Sequence, residues 1–345
     1  MKDKREGWID LVKGFGIIAV VARHTVFDSG IKEIDYWYPY FMISVFYCLI
    51  GLYRYEKEGF PFNVKSFLKH KLKVLGKIYL FFSILIIFFD TFLVVVQYYD
   101  YQQLLKDGYR TLCLAGIGTL WFIPTLLISD FLLCYLLTLK RSWLYFNLGV
   151  IFIIAIGGTY LRDIYHANTM MSDIIFAPIL VFLKGFYGFL LAIMTFGVRK
   201  LMDRMDKRQR KYSVFVFMLT FISFVLANHF PLFNFNHLVL RNNPVVWLLV
   251  SFITCLSLIL LCELLYPKIK NLIITKVIIY YGKNSLILMC THLSITLVIL
   301  DIIFIFNDID IVYSPFDFIV FVAILLLTVP IIYFFNKYVG FLKKP

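Results

Sequence analysis

Two kinds of chemistry are missing from this chain before any is found in it. There is no Cys-x-x-Cys, and no two histidines stand at metal-ligand spacing, so no metal site is expected. The six cysteines, Cys48, Cys113, Cys134, Cys255, Cys262 and Cys290, imply no disulfide framework. Five lie in apolar runs, where cysteine serves as a small apolar residue. No Pro/Ser/Gly linker, low-complexity tract or soluble appendage interrupts the chain, so residues 1–345 read as one domain. The first apolar run follows Lys2, Lys4 and Arg5, but it is too polar and lacks the small-residue cleavage site of a removable signal peptide.

What is present is hydrophobicity. Apolar residues make up 61% of the chain, with 37 Phe and 23 Tyr, against roughly 45–50% in soluble domains. Runs of about 20 apolar residues, the length that crosses a bilayer, recur throughout. Ten spans are predicted, at 9–27, 37–53, 75–96, 120–139, 143–161, 174–196, 213–229, 245–266, 277–306 and 316–341. The ninth is long enough to tilt, or to break near Asp301. The expected fold is an all-α polytopic membrane protein with about ten transmembrane helices.

Basic residues give the orientation. With the N-terminus in the cytoplasm, 25 Lys and Arg fall in inside segments and five in outside segments, with four within spans. That is a strong positive-inside bias, and it places both termini in the cytoplasm. The net charge of +13 then faces anionic lipid, and an anionic donor, and needs no nucleic acid.

The densest inside run is KSFLKHKLKVLGK, where Lys65, Lys69, His70, Lys71, Lys73 and Lys77 interleave with apolar residues. Helical spacing puts Lys69, Lys73 and Lys77 on one face. Two readings fit: a lipid-headgroup anchor, or a seat for the phosphates of a donor. The run RKLMDRMDKRQRK reads as a solvated loop. Outside, DYWYPY and YYDYQQ read as an interfacial aromatic belt, or as platforms for sugar rings. The segment NHFPLFNFNHLVLRNN gathers Asn228, His229, Asn234, Asn236, His237 and Arg241, suited to sugar hydroxyls and equally to capping a loop.

The sharpest signal is in the first span. His24 lies fourteen residues after Asp10 and eleven after Lys13, beside Arg23. Ionisable groups at that depth are costly and default to a functional reading. Imidazole is suited to taking and returning a proton near neutral pH. Lys13 is three turns below His24 on nearly the same face, with Asp10 placed to order it by an i, i+3 pair. Arg23 points about 100° away from His24. The other intramembrane polar residues are Asp90, Asp130, Lys184, Glu263, His292 and Asp301; Asp90 and Asp130 are candidates to line a cavity or pair with Lys184, and Glu263 is placed at an inner interface.

Four segments occur in a telling order: R-x4-D-x2-K-G-x9-H from Arg5 to His24; FMISVFYCLIGLY ending past Gly51; LWFIPTLL with Trp121 and Phe122; and YYGKNSLILMCTH from Gly282 to His292. Together they resemble the acyltransferase 3 family, integral membrane enzymes that acylate surface glycans and some small molecules. The resemblance covers the whole chain. It implies that His24 is the catalytic residue, with Lys13, where Arg is commoner, and Asp10 beside it. It implies acyl-CoA use by the run at Lys69, Lys71, Lys73 and Lys77, together with the N-terminal Arg5. That run is usually Arg-rich; here it is Lys and His, so a bidentate grip by Arg is absent. In the second span Met42, Ser44 and Ile50 replace the commoner His or Pro and Ser. Arg23, Trp121, Asn228, His237 and His292 are the candidate acceptor-side residues.

The function expected is a membrane O-acetyltransferase of a bacterial plasma membrane. Its donor is acetyl-CoA; its acceptor is a surface polysaccharide or its lipid-linked precursor. The partners expected are that glycan, membrane lipid and, as an open option, a second copy in a homodimer. Either the membrane domain completes transfer itself or a separate partner does. The alternative is a transporter or flippase for a glycan intermediate, against which no paired, Gly/Pro-broken segments appear in matching halves.

Overall fold

The computed structural model describes residues 7–25, 32–56, 63–164, 170–202, 210–230, 238, 243–300, 302 and 317–339. Among these there is no strand; all the regular structure is helical. In chain order the helices are α1 (Gly7–His24), α2 (Lys32–Phe41), α3 (Ser44–Glu56), α4 (Val64–Lys71), α5 (Lys77–Val95), α6 (Tyr101–Leu112) and α7 (Phe122–Leu136). Then follow α8 (Arg141–Ile164), α9 (Met170–Met202), α10 (Arg210–His229), α11 (Pro244–Ile269), α12 (Ile273–Lys283), α13 (Ser285–Thr291) and α14 (Asp317–Tyr338).

Six helices are long and apolar enough to cross a membrane, and a bent pair makes a seventh. Their outward faces carry the large apolar residues that a soluble protein would bury: Phe88 is 75% exposed, Ile153 69% and Phe221 68%. Spread along several helices, such a surface suits hydrocarbon rather than water. The chain is a multi-pass membrane protein.

Three predicted spans have a different internal form. The second is two helices, α2 and α3, parted at Met42–Ile43 just after Pro39; proline removes a helical hydrogen bond. The third begins early: α4, a π-helical turn at Leu72–Gly76 and α5 run on as one 32-residue helix. The ninth breaks at Asn284, where α12 meets α13 at 69°. The break expected near Asp301 falls outside the described residues.

Close packing is set by glycines, as it is between membrane helices generally. A Cβ on Gly14 would collide with the backbone carbonyl of Ile278, and one on Gly282 with the carbonyl of Asp10. Thus α1 and α12 touch backbone to backbone. In the same way α3 meets α9 where Gly51 lies against the backbone of Ala192. Hydroxyls stitch α7 to α3 and α9: Tyr47 and Thr125 are 2.7 Å apart, and Ser129 donates to the Gly185 carbonyl at 2.8 Å.

Candidate functional site

The glycine contact explains how two distant motifs become one site. Pinned at Gly14 and Gly282, α1 and the α12–α13 pair run alongside each other. At the far end of α1 the rings of His24 and His292 stand 5.2 Å apart, centre to centre, tilted by 51°. His24 is half-buried; His292 is 1% exposed. A second π-helical turn, His292–Leu297, begins at His292 itself; such turns occur often at functional sites. His292 Nδ1 is 2.8 Å from the Leu288 carbonyl, while its Nε2 is buried with no hydrogen-bond partner among the described residues.

The third motif closes over this segment. Before α7 the chain makes a tight loop in which Gly116 and Gly118 have φ of +66° and +53°, conformations that favour glycine. Gly118 lies against Ser294 of the π turn. Thr119 donates its hydroxyl to the Met289 carbonyl. Trp121, buried, holds Lys184 over its ring, with Nζ 3.9 Å from the centroid. That cation–π contact gives a buried Lys an electronegative face, while Asp130 takes the other role open to it, in a cavity wall.

Toward the other end of α1 lies a cavity of about 280 Å³. Lys13, Lys71, Asp130, Tyr53, Phe46 and Leu126 are among the residues lining it. Asp130 accepts from Arg54 Nε at 2.7 Å and from Lys71 Nζ at 2.8 Å. Arg54 and Lys71 also lie over the Phe67 ring, at 5.4 and 5.8 Å. Charge-assisted bonds of this kind are the strong ones. Arg54 was not singled out from the sequence; its partner is 76 residues away, and no local spacing signals the pair.

Lys69, Lys73 and Lys77 are exposed, while Lys71 turns inward; the π turn between Lys71 and Lys77 offsets the four-residue stripe that a plain α-helix would give. Arg23 is exposed and Asp10 is 1% exposed. Asn228 donates its amide to the Glu33 and Phe224 carbonyls at 3.1 and 2.9 Å, joining α10 to α2. Glu263 takes a two-pronged ion pair from Arg199, with N–O distances of 2.9 and 3.1 Å. Arg5, Asn234, Asn236, His237, Arg241 and Asp301 lie outside the described residues. Asp90 is buried in α5, close enough to Asp107 of α6 for their charges to interact. Burial raises the Asp107 carboxyl above the usual range, opposed by an amide bond from Gln103. Among the described residues no group of three or more His, Cys, Asp or Glu is placed to hold a metal ion.

The arrangement offers an imidazole pair at one end of α1 and a cavity bearing cations toward the other. No curated protein and no solved structure matches the chain. The model of an acyltransferase domain, that of the acyltransferase 3 family, matches residues 6–336. That match spans both motif-bearing helices and everything between them, and the chain therefore belongs to the acyltransferase 3 family and is an acyltransferase.

Proposed function

We propose that this acyltransferase is an O-acetyltransferase, moving an acetyl group from cytoplasmic acetyl-CoA to a sugar hydroxyl of a surface polysaccharide or its lipid-linked precursor. The observation that carries the reading is the pairing of two sites along α1. His24 stands against His292, and about 16 Å away along the axis Lys13 opens on a cavity that Lys71 and Asp130 also line, with Arg54 paired to Asp130.

Transfer to a hydroxyl needs a base, a positive group for the developing oxyanion and an anchor for the donor's phosphates. In this reading His24 is the base. Lys13, with Asp10 on the same helix, supplies positive charge. Lys69, Lys71, Lys73, Lys77 and the N-terminal Arg5 seat the phosphates. In this reading Arg23, Trp121, Asn228 and His237 are taken as acceptor-side residues, and His292 stands beside the base.

The membrane topology belongs to the same proposal. Counting α2–α3, α4–α5 and α12–α13 as one span each, with α1, α7, α8, α9, α10, α11 and α14, yields ten, with both termini cytoplasmic and the enzyme in a bacterial plasma membrane. The 25-to-5 distribution of Lys and Arg supports this orientation. His24 then lies roughly 22 Å across a core about 30 Å thick, beyond the midplane. The donor's arm threads up between helices from the cytoplasm, and the acceptor arrives from the outer side.

Sealed vesicles of known orientation test this. Acetyl-CoA is supplied on the cytoplasmic face and the glycan acceptor only on the other. Ester-linked acetate on the acceptor is the expected result. Acetylation seen only when both share the cytoplasmic face would overturn the sidedness, and none under any arrangement would overturn the donor or the acceptor.

A further inference from the structure

The His292 ring has a fixed protonation pattern, and the reason is elementary. A carbonyl oxygen can only accept, so the 2.8 Å contact between Nδ1 and the Leu288 carbonyl requires the proton on Nδ1. In the neutral ring Nε2 then carries a lone pair and nothing else. Among the described residues that nitrogen is buried without a hydrogen-bond partner, a condition that disfavours the folded state. The surroundings hold the ring in place rather than relieving it. Thr119 ties down the Met289 carbonyl, Gly118 sits against Ser294, and the π turn starts at His292. The side chain that stands against the ring is His24, 5.2 Å away between centroids.

We propose that His292 is a positioning residue for His24: its Nε2 is unpartnered as the rings stand, and a turn of the His24 ring brings an N–H to that lone pair, leaving the other His24 nitrogen bare for the acceptor hydroxyl. The proposal rests on the acyl-transfer reading above for its chemistry, but not for its geometry. In the reaction the hydroxyl oxygen attacks the thioester carbonyl carbon, and its proton passes to the bare nitrogen of His24. The C–O bond forms, the C–S bond breaks, and the thiolate leaves with the proton that His24 returns. His292 exchanges nothing; it selects the His24 tautomer that can act as base and stabilises the imidazolium while it lasts. An acceptor fixed in a buried wall and lacking a charge of its own can do this without attracting a permanent cation into the hydrocarbon.

Two variants separate this from a packing role. His292→Leu fills similar space with no acceptor, and His292→Gln offers an amide oxygen near the position of Nε2. In a buried wall Leu is the gentler replacement for folding. The proposal expects the reverse order in catalysis: H292L lowers kcat by about 10–100-fold, the range seen when the partner that orients a reactive histidine is lost, with KM for both substrates unchanged. H292Q restores much of that loss. The second readout needs no turnover. In full-length protein labelled with ¹⁵N-histidine, His292 should show the Nδ1–H form, and His24 one dominant tautomer that becomes a mixture in H292L. If the reaction assigned to the protein is wrong, the activity arm fails in the wild type while the ¹⁵N arm still reports. A His24 spectrum unchanged in H292L, an Nε2–H form of His292, or equal loss of kcat in H292L and H292Q overturns the proposal.

Discussion

The two ends of α1 use polar groups in opposite ways. Around Lys13 charge is met by charge: Asp130 takes both Arg54 and Lys71, and aromatic faces flank the cations. Around His24 the partner is a second imidazole, and that imidazole is tied to a backbone carbonyl. The first arrangement suits a ligand that brings negative charge, because an anion can take over the place of a carboxylate. The second suits a proton that must be given up again, because no fixed carboxylate holds it. In the proposed reading one helix joins a place for binding to a place for chemistry, and the difference is in the partners more than in the residues themselves.

The largest expected break in this comparison is His24→Ala. It should insert and fold normally yet lose about 10²–10⁴-fold in transfer rate, the usual contribution of a general base; normal acetylation by well-expressed protein would remove His24 from the mechanism. Next is Gly282→Ala. The added methyl meets the Asp10 carbonyl, and backbone yields less readily than a side chain. Overpacking costs about 1–3 kcal/mol, to be read as a lowered Tm. Activity should fall too, as α1 and α12 lose their shared alignment. A variant as stable and active as the parent would mean the helices are not pinned there.

Asp130→Asn comes third. It removes the negative charge and one of the two oxygens that accept from Arg54 and Lys71, and a loss of about 1–3 kcal/mol is expected, tempered by the partial exposure of both cations. Thermal unfolding checks this, and an unchanged midpoint would show the cluster to be only a surface pair. The smallest effect is the most discriminating. Lys69→Gln with Lys73→Gln removes two exposed cations and should raise KM for acetyl-CoA a few-fold while reducing its salt dependence, since exposed charges contribute about 0.2–1 kcal/mol each. Lys71→Gln acts at the cavity wall and should raise KM more than either. An unchanged KM in the Lys69, Lys71 and Lys73 triple Gln variant would return the run to lipid headgroups.

The all-helical fold was legible because hydropathy reports it directly, and the four motif segments gave the family. The His24–Lys13 relation was legible because it lies within one helix, where spacing determines the face. What stayed hidden depends on contacts between segments. Gly14 and Gly282 were visible only as motif letters, since nothing local shows that each faces a carbonyl of the other helix. Arg54 looked like one more inside cation until Asp130 came beside it. The π turns at Leu72 and His292 follow no composition rule, and the break at Asn284 has no proline to announce it. For Asp130 the sequence left open a cavity wall or a pair with Lys184; the cavity wall is the role seen, and Lys184 lies over Trp121, because a ring face can also shelter a cation.

The glycine contact also makes α1 a caliper. Its zero is set where Gly14 meets the backbone of Ile278, one residue from Lys13 and ten from His24. One jaw is therefore fixed, and the other is carried on a rigid stem of measured length. Inserting a single alanine between Gly14 and His24 would lengthen that stem by about 1.5 Å and swing its tip by about 100°, leaving the cation cavity in place while the imidazole faces elsewhere. A donor whose reach is set by its own covalent length tolerates no such change of gauge. Under the proposed function, the span between Lys13 and His24 is then a dimension of the substrate written into the protein.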